Sequence, residues 1–348
     1  MLAVRKIGPV PGISVENVAA PAAPEVDEVT IKVHAAGICG SDLHVYEWSA
    51  GYEFMRSRLP VTLGHEFSGK VVAMGAGVGS VSMGDRVAVM PTSSCLRCAR
   101  CLAGNAHLCM DRKTVGLTRD GAFSQYVNVP AISCIKLATG TDLVLAALIE
   151  PLSVGDNAAE VGGVASGDTV IVLGPGTIGQ AIIRAARWRG ATRVIAVGMN
   201  DEARLRTAAA MGATDVIDLA ATPSLKEGVL ALMDGALADV VIEATGRASS
   251  ISDGLSVLRK GGVLVTAGIH SQPVSFDLTM FVRNQQQLRA AHGSRRRSWE
   301  VIAQRIANEP ESVRPMISAE LDLKDAEEGF RRCLEREVSK VILRPAGA

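Results

Sequence analysis

The first part of the chain is made of short segments that alternate apolar and polar residues and are separated by turns. Residues 28–35 read Glu-Val-Thr-Ile-Lys-Val-His-Ala, which is the two-residue period of a strand with one buried face. Residues 67–75 and 85–89 show similar patterns between turns that contain glycine. We therefore predict a mostly β region between about residues 3 and 136.

After residue 151 the pattern changes to short, continuously apolar runs that alternate with helical segments. Such runs are typical of parallel strands that are buried on both faces of a sheet. Six strands are predicted, at residues 168–173, 194–197, 215–218, 239–243, 263–267 and 288–291. Helices are predicted at residues 143–149, 158–164, 180–189, 204–211, 224–233 and 250–259, with Gly261 and Gly262 ending the last one. This alternation indicates an α/β fold with a doubly wound parallel sheet, which binds its ligand at the carboxyl ends of the strands.

The last part of the chain does not continue this alternation. Helices are predicted at residues 299–308 and 323–334, and a strand at residues 341–343. We predict that this tail packs against the first domain. That domain is then discontinuous and comprises residues 1–152 and 294–348, whereas residues 153–293 form a dinucleotide-binding domain.

A glycine-rich segment follows directly after the first strand of the predicted parallel sheet. A G-x-G-x-x-G pattern alone is weak evidence, but here a strand precedes it and a helix follows it, which is the context that dinucleotide binding requires. The glycines let backbone amides approach a pyrophosphate at the positive end of the helix. The residues predicted to bind the cofactor in this way are Gly174, Gly176, Thr177, Ile178 and Gly179.

The end of the second predicted strand leaves the choice between NAD and NADP open. In NAD-binding proteins an acidic residue usually stands there and holds the ribose hydroxyls. Here Gly198 stands where the carboxylate is expected, and Asp201 follows three residues later. Asp201 reaches the ribose if the turn is one residue longer, whereas Arg204 beside the small Gly198 accommodates a 2′-phosphate. We predict NAD as the cofactor, with NADP as the alternative.

Length, charge and cysteine content narrow the class of protein. A chain of 348 residues is long enough for about two domains with separate cores. The 36 basic and 36 acidic residues balance, so no overall field favours nucleic acid or an anionic membrane. No apolar run is long enough to span a bilayer, and the first residues lack the apolar segment of a signal peptide. We therefore predict a cytoplasmic protein, in which the seven cysteines are thiols or metal ligands rather than disulfides.

Four of the seven cysteines share one compact segment with the spacing C-x2-C-x2-C-x7-C: Cys95, Cys98, Cys101 and Cys109. Four thiolates complete the closed tetrahedral shell of a structural zinc ion. An iron–sulfur cluster is the chemical alternative, and a disulfide pair is disfavoured by the compartment. We predict a structural zinc that holds a lobe, residues 92–112, and takes no part in the chemistry.

A second group of zinc-competent residues stands earlier in the chain, where Cys39 is followed by Gly64-His65-Glu66. A catalytic zinc typically has three protein ligands and leaves one position for water or substrate. Our hypothesis is that Cys39, His65 and an acidic residue hold such a metal. The alternative is an isolated buried cysteine and a His-Glu pair that occurs by chance.

These motifs, in this order, are similar to those of the zinc-containing medium-chain dehydrogenases of the alcohol dehydrogenase superfamily, in their sorbitol and threonine dehydrogenase branch. The resemblance covers essentially the whole chain. It rests on Cys39–His44, Gly64–Glu66, Gly84–Val87, the four-cysteine lobe, Glu150-Pro151 and Gly174–Gly179. It implies a GroES-like β fold for the first domain and a Rossmann fold for the second. It also implies a homo-oligomer, either a tetramer or a dimer.

The resemblance also implies a set of zinc ligands. By motif position, Cys39 and His65 bind the catalytic zinc. Both Glu66 and Glu150 are associated with the metal in this branch, so the third protein ligand stays open between them. Asp42 matches a residue that orients the imidazole of His65.

Two further residues of the same segment receive roles in proton transfer from the resemblance. Zinc makes an alcohol more acidic, and the nicotinamide then accepts a hydride from the carbon. Ser41 is placed by motif position to accept the proton of the alcohol, and His44 to pass it outward. A surface histidine on a helix explains His44 nearly as well.

The implied function is a zinc-dependent dehydrogenase with two zinc ions per chain, one catalytic and one structural. It oxidises a secondary alcohol, such as a polyol, a sugar alcohol, a diol or an amino alcohol, to a ketone with NAD(P). Tyr46 and Trp48 resemble the threonine dehydrogenase arrangement, but residues 90–94 lack the histidine that those enzymes have there. The alternatives are an L-threonine 3-dehydrogenase specifically, or a non-catalytic nucleotide-binding protein on the same scaffold.

Overall fold

A computed structural model describes residues 1–345, and the chain divides into two compact units. Unit 1 comprises Met1–Glu150, Trp299–Pro310 and the chain from Ile317 onward, and unit 2 comprises Pro151–Ser298 and Glu311–Met316. The predicted domain boundaries stay predictions, and residues 346–348 of the predicted first domain lie outside the described residues. No helix within residues 1–345 is long and apolar enough to cross a lipid bilayer.

Unit 1 is mostly β. Its largest sheet has seven strands, six of them in the order Cys134–Lys136, Arg86–Val89, Glu66–Met74, Glu28–Gly37, Val341–Arg344 and Ala319–Asp322, with Tyr126–Pro130 paired to Glu28–Gly37. A second sheet has the order Ser14–Asn17, Leu2–Lys6 and Val61–Thr62, and a two-stranded sheet joins Thr92–Ser93 and Lys113–Thr114. The α-helices are Gly40–Glu47, Ala99–Leu102, Leu143–Ala146 and Ala326–Leu334, and short 3-10 helices cover Glu53–Arg58, Ala106–Leu108, Ala131–Ser133 and Leu323–Asp325.

The strand Glu28–Gly37 organises the core of unit 1, because it pairs with three other strands and most of its residues are buried. Phe67, Phe123 and Phe330 are fully buried in this core. The rings of Phe123 and Phe330 meet edge to face with their centroids 6.2 Å apart. Because Phe330 belongs to the helix Ala326–Leu334, the tail of the chain contributes to the core of unit 1.

The helix Gly40–Glu47 was not among the elements predicted for the mostly β region between about residues 3 and 136. Among its eight residues only Asp42 and Val45 are buried, so the sequence has no apolar stripe with a helical period at this place. The helix is stabilised instead at its first turn, where the carboxylate of Asp42 accepts a hydrogen bond from the backbone N–H of Cys39 at 3.0 Å.

Unit 2 contains a six-stranded parallel sheet in the order Asp215–Asp218, Arg193–Gly198, Thr169–Leu173, Ala238–Glu243, Leu258–Thr266 and Gln287–Ala290. In chain order the strands are arranged 3-2-1-4-5-6, which is the order of a doubly wound dinucleotide-binding fold. The predicted fold class is confirmed. The helices of unit 2 are Ile149–Gly162, which begins two residues before it, Thr177–Trp188, Glu202–Ala210, Leu225–Leu232, Ser249–Ser256 and Leu278–Arg283. The helix Arg296–Asn308 lies mostly in unit 1, and 3-10 turns follow it at Pro310–Ser312 and Arg314–Met316.

Two predicted helix boundaries were wrong. The helices predicted at residues 143–149 and 158–164 are in fact a short helix, Leu143–Ala146, and one long helix, Ile149–Gly162. Pro151 does not interrupt the long helix because it lies in the first turn, where its missing N–H needs no partner.

The glycines at 261 and 262 do not end a helix either. The preceding helix already ends at Ser256, and both glycines lie inside the strand Leu258–Thr266. Gly261 has a φ of +70°, and the pairing of this strand with its neighbour is irregular. A glycine at positive φ within a strand is typical of a bulge, which a sequence pattern cannot distinguish from a turn.

Candidate active site and metal sites

Three zinc-competent side chains converge in unit 1. Cys39 is the N-cap residue of the helix Gly40–Glu47, and His65 and Glu66 stand at the start of a neighbouring strand. The ligand atoms of Cys39, His65 and Glu66 all lie within 4.8 Å of one another. The two segments are brought together because Glu66 pairs directly with Gly37 in the sheet.

The turn before His65 requires glycine. Gly64 has a φ of +93°, and a Cβ at this position would lie 2.5 Å from the ring of Phe123. Only glycine adopts such a conformation without strain and leaves room for the ring. The packing of Phe123 on Gly64 therefore fixes the backbone from which the imidazole of His65 projects.

His65 is buried, with a polar group beside each ring nitrogen. Its Nδ1 lies 3.5 Å from Oδ1 of Asp42, and its Nε2 lies 3.2 Å from Oγ of Ser41. Burial opposes protonation, but the negative charges of Asp42 and Cys39 outweigh it and raise the pKa of His65 well above its usual value. The fully buried Asp42 thus lies against Nδ1 and leaves Nε2 on the side of Ser41.

Sequence reasoning missed Lys340, which forms a buried ion pair with Glu66. Its Nζ donates hydrogen bonds to Oε2 of Glu66 at 2.6 Å and to the backbone oxygen of Ile38 at 2.7 Å. Both charged side chains are fully buried. Burial works against the charged form, but the carboxylate of Glu66 raises the pKa of Lys340 above its ordinary value. In the sequence, a lysine before an apolar strand gives no sign of a carboxylate 274 positions away.

The second carboxylate oxygen of Glu66 supports metal binding at this place. Oε1 is buried and has no hydrogen-bond partner among the described residues. An unsatisfied buried acceptor costs roughly 1–3 kcal/mol, which a bound cation would offset. Sulfur, nitrogen and oxygen donors from Cys39, His65 and Glu66 are a ligand set that zinc accepts.

Glu150, the other predicted acidic ligand, is not part of this three-residue cluster. It is the second residue of the helix Ile149–Gly162 and is half-buried. Burial and the nearby charge of Glu66 raise the pKa of Glu150 to about 7. The carboxyl group therefore lies close enough to the cluster to interact with it through its charge.

His44 is exposed, and the described hydrogen bonds do not join it to Ser41. Its Nδ1 lies 3.4 Å from Oγ of Ser49, and its ring stacks on Tyr52 with the centroids 6.0 Å apart. Tyr52 is a further residue that sequence reasoning missed. Burial raises the pKa of Tyr52 to about 12, so its hydroxyl group stays protonated at neutral pH.

The four predicted cysteine ligands of the lobe also converge, with their sulfurs within 4.8 Å of one another. The Sγ atoms are separated by 3.5 Å for Cys98–Cys101 and for Cys95–Cys109, and by 3.9 Å for Cys98–Cys109. A tetrahedral zinc ion with zinc–sulfur distances of about 2.3 Å has sulfur–sulfur edges of about 3.8 Å. All four residues are free thiols, so the geometry fits a structural four-cysteine zinc site and not a disulfide.

Backbone N–H groups prepare this lobe for thiolates. Those of Cys95 and Cys98 point at the sulfurs of Cys109 and Cys95, at 3.3 and 3.4 Å. Hydrogen bonds from the backbone of Cys101 and Met110 lower the pKa of the Cys98 thiol to about 6. Since the thiolate is the form that binds zinc, these bonds favour metal uptake.

Replacing Cys98 with serine is expected to remove about one zinc ion per chain and to lower the free energy of unfolding by at least about 2 kcal/mol. The reason is that a metal bound only by the folded lobe stabilises the folded state. Metal analysis and thermal unfolding measure the two effects. Cys333→Ser is the matched control, because Cys333 is a free cysteine outside both clusters. Equal zinc content and equal stability of the two variants would contradict the assignment.

The glycine-rich segment joins the strand Thr169–Leu173 to the helix Thr177–Trp188. The helix begins three residues earlier than predicted because Gly176 is its N-cap residue. Thr177, Ile178 and Gly179 thus form the first turn of the helix, whose N–H groups have no acceptor within the helix.

The three glycines of this segment have different surroundings. A Cβ at Gly179 would lie 1.8 Å from the backbone oxygen of Gly174, and one at Gly174 would lie 2.9 Å from the side chain of Thr245. At Gly176 the nearest atom would be Nη1 of Arg204, at 3.8 Å. Gly174 and Gly179 therefore allow close packing of the chain, whereas Gly176 leaves space at the helix N-terminus for an anionic ligand.

Asp201 and Arg204 are bound to each other. Nε of Arg204 donates a hydrogen bond to Oδ1 of Asp201 at 2.7 Å, and the carboxylate is only 10% exposed. Gly198 ends the second strand, and a Cβ there would lie 3.1 Å from the ring of Pro175 in the glycine-rich segment. The second strand therefore ends in a glycine rather than an acidic residue, and Arg204 lies beside Gly176.

Comparison with known proteins gives the same two-part organisation. The alcohol dehydrogenase GroES-like domain matches residues 25–139, and the zinc-binding dehydrogenase family matches residues 177–308. A sorbitol dehydrogenase of Halalkalibacterium halodurans is 33% identical over 92% of this chain and 93% of its own length. An L-threonine 3-dehydrogenase of Bacillus subtilis is 35% identical, again over 92% of this chain and 93% of its own. A Sinorhizobium meliloti protein described as a zinc-binding dehydrogenase, solved with NADP, has a TM-score of 0.88 at 30% identity, with 99% of both chains covered.

This architecture is that of a zinc- and NAD(P)-dependent dehydrogenase that acts on CH–OH groups. The chain belongs to the zinc-containing medium-chain dehydrogenases of the alcohol dehydrogenase superfamily. The predicted family, the GroES-like and Rossmann folds and the enzymatic class are thereby confirmed. The alternative of a non-catalytic nucleotide-binding protein no longer applies.

Proposed function

We propose that the protein oxidises a secondary alcohol with a neighbouring hydroxyl or amino group to the corresponding ketone. The observation that carries this proposal is the cluster of Cys39, His65 and Glu66, with Oγ of Ser41 3.2 Å from Nε2 of His65. The relatives act on sorbitol and on L-threonine, and both molecules carry a secondary hydroxyl beside a second polar group. A polyol, a sugar alcohol, a diol and an amino alcohol all share this feature.

In this proposal Cys39, His65 and Glu66 hold the catalytic zinc. Glu66 is favoured over Glu150 as the third ligand because Oε1 of Glu66 is buried without a partner and belongs to the cluster. When bound, zinc makes the hydroxyl of a nearby alcohol more acidic, and the nicotinamide accepts the hydride. Lys340 donates a hydrogen bond to the other oxygen of Glu66, and Oδ1 of Asp42 lies 3.5 Å from Nδ1 of His65, so each of these two ligands has a buried charged neighbour.

Ser41 is the proposed first acceptor of the alcohol proton. A hydroxyl group accepts and donates hydrogen bonds at the same time, so it can pass a proton on without a lasting charge. His44 is the proposed exit, because its ring is exposed. Since the described hydrogen bonds do not join the two side chains, transfer between them requires at least one water molecule.

A panel of alcohols with matched pairs tests the proposed function. Reduced nicotinamide is followed with 2,3-butanediol against 2-butanol, with sorbitol, and with L-threonine. We expect kcat/KM for the diol to exceed that for the simple alcohol by at least about tenfold, since a second polar contact is worth about 1.4 kcal/mol or more. Equal rates for the two members of the pair would contradict the need for a neighbouring polar group.

L-Threonine in particular receives no support from Tyr46 and Trp48. The ring of Tyr46 packs against Phe330 with the centroids 5.5 Å apart. The ring of Trp48 lies under the ammonium group of Lys6, 5.6 Å from its centroid. Both side chains therefore have a packing role that does not depend on the substrate.

NAD stays the predicted cofactor, and the position of Arg204 supports NADP as a second candidate. The guanidinium beside Gly176 is suited to a 2′-phosphate, whereas Asp201 is already engaged by Arg204. The predicted oligomer and the predicted cytoplasmic location stay predictions. Light scattering on the purified protein measures the oligomeric state.

If Arg204 contacts a 2′-phosphate, Arg204→Ala is expected to lower kcat/KM for NADP by at least about tenfold while that for NAD stays equal or rises. The loss removes a charge-assisted contact, and it frees Asp201 to accept hydrogen bonds from the ribose. Arg206→Ala is the matched control, because Arg206 is an exposed arginine of the same helix that pairs with Glu202. An unchanged ratio of NADP to NAD activity in Arg204→Ala would exclude NADP recognition by this residue.

A further inference from the structure

The side chain of Lys6 is a fully buried cation of unit 1 that the dehydrogenase function described above does not use. Burial alone lowers the pKa of Lys6 to about 8, and no carboxylate within residues 1–345 forms an ion pair with it. The amine therefore stays mostly protonated at neutral pH. Burying an ammonium group without a counter-charge is unfavourable, so the groups that Lys6 does contact are of interest.

The ammonium group of Lys6 binds three backbone oxygens. Its Nζ donates hydrogen bonds to the oxygen of Gly12 at 2.9 Å, to that of Tyr46 at 3.0 Å and to that of Val10. A lysine ammonium has three N–H donors, so each of them has an acceptor. The backbone N–H of Gly12 also donates to the oxygen of Tyr46, at 2.8 Å. Lys6 thus joins the turn after the first strand to the last turn of the helix Gly40–Glu47.

The end of this helix has little support from apolar packing. Asp42 and Val45 are its only buried residues. Its C-cap residue, Trp48, has a left-handed backbone with a φ of 55°, which is unfavourable for a residue other than glycine and persists only when its surroundings hold it. The Nζ of Lys6 lies 5.6 Å from the centroid of the Trp48 ring, where a cation is attracted to the ring face. Lys6 therefore contacts both the last turn of the helix and the side chain of its C-cap residue.

The same end of the helix contacts His44. The backbone N–H groups of Trp48 and Ser49 donate hydrogen bonds to the backbone oxygen of His44. The Oγ of Ser49 lies 3.4 Å from Nδ1 of the exposed His44 ring. A shift of Trp48 and Ser49 would therefore displace the hydrogen-bond partner of that ring.

We propose that Lys6 is a positioning residue for proton transfer: by fixing residues 46–49, it keeps the ring of His44 in the orientation from which the substrate proton passes to solvent. This inference rests on the proposed function, because it needs His44 to be the exit for the proton. Lys6 touches neither Cys39 nor His65, so zinc content is not expected to depend on it.

The test is a double-mutant cycle between Lys6 and His44, measured on the zinc-loaded enzyme at pH 7 with saturating cofactor and the best alcohol of the panel. His44→Gln is expected to lower kcat at least about tenfold, through the loss of a base in the proton path. Lys6→Met is expected to lower kcat about fivefold, because the base is then misplaced, and to change KM less than about twofold. The variant with both changes is expected to be as slow as His44→Gln alone, because Lys6 acts through His44.

Added imidazole distinguishes a lost proton path from a damaged fold. As a base in solution it is expected to restore kcat in His44→Gln, in Lys6→Met and in the variant with both changes. Arg119→Met is the matched control, because this partly buried cation of unit 1 binds Glu28 and the backbone oxygen of Asn128 instead. It is expected to lower the melting temperature and to leave kcat unchanged.

Trp48→Leu replaces Lys6→Met if that variant does not fold. It removes only the ring beside the ammonium group and is expected to give a smaller loss of kcat that imidazole restores. An unchanged kcat in the Lys6 variant or its replacement, a loss that multiplies with that of His44→Gln, or a loss that imidazole does not restore would overturn the inference and leave His44 as the exit. An unchanged kcat in His44→Gln would instead remove the proposed exit itself, and the role of Lys6 with it.

Discussion

Replacing Cys39 with serine is expected to remove about one zinc ion per chain and to lower kcat by about a thousandfold or more. Serine offers a neutral hydroxyl where zinc needs a thiolate, so the cluster retains only two strong donors, His65 and Glu66. A Lewis acid at the reacting oxygen is worth several kcal/mol, and about 4 kcal/mol corresponds to three powers of ten in rate. Metal analysis and steady-state kinetics with the best alcohol of the panel measure both effects.

Cys134→Ser is the control for that experiment. Cys134 is a buried cysteine in the strand Cys134–Lys136, forms no disulfide and belongs to neither cluster. Its variant is expected to keep both zinc ions and its turnover. A Cys39→Ser protein that binds two zinc ions and turns over normally would remove Cys39 from the site.

Replacing Lys340 with methionine is expected to lower the free energy of unfolding by about 3–5 kcal/mol. The reason is that the fully buried carboxylate of Glu66 then has no cation to pair with, which is the costly way to break a buried ion pair. The melting temperature is expected to fall by several degrees or more. Denaturant or thermal unfolding is measured after zinc has been removed from every variant and from the unaltered protein, so that no metal ion at Glu66 replaces the lysine.

Two further variants show whether this loss arises from the pair itself. The double variant Lys340→Met with Glu66→Gln is expected to be more stable than Lys340→Met alone, because the unpaired charge is gone. Lys324→Met, which removes an exposed lysine 3.6 Å from Asp322, is expected to cost less than about 1 kcal/mol. If Lys340→Met were as stable as Lys324→Met, the buried pair would contribute nothing to the fold.

The sequence predicts well those parts of the molecule that are determined by residues close to one another in the chain. The strand Asp215–Asp218 has the predicted bounds because turns and helical patterns enclose it on both sides. The four cysteines of the lobe lie within fifteen positions, so their spacing alone indicates that their sulfurs meet. The parallel arrangement of the strands in unit 2 follows from the alternation of strands and helices, since parallel strands need crossover connections.

The helix Gly40–Glu47 could not be predicted from periodicity. Its stabilising contacts are a capping hydrogen bond from Cys39 to Asp42 and one buried apolar side chain, Val45. The hydrophobic pattern of the sequence does not indicate such a helix, because only one of its apolar side chains is buried. The residue types of this segment indicate a metal site, but only the structure shows that Cys39 is the N-cap residue of a helix.

The sequence also could not show which carboxylate is the third ligand of the proposed catalytic zinc site. Glu66 and Glu150 are both acidic residues next to a recognisable motif, and nothing in either motif tells which carboxylate reaches the sulfur of Cys39. In the structure the carboxylate of Glu66 lies against Gly37, where a Cβ would be 2.4 Å from Oε2 of Glu66. Gly37, on a neighbouring strand, thus leaves space for the carboxylate of Glu66, and Lys340 supplies the positive charge that pairs with it.

The two members of the buried ion pair, Glu66 and Lys340, are synthesised at different times. The two residues are 274 positions apart, and all of unit 2 lies between them in the sequence. Because a protein is synthesised from its N-terminus, Cys39, His65 and Glu66 leave the ribosome long before Lys340 does. During that interval the nascent sheet lacks the strand Val341–Arg344, and Glu66 has no lysine to neutralise it. Glu66 therefore gains its buried lysine partner only after the dinucleotide-binding unit has been translated.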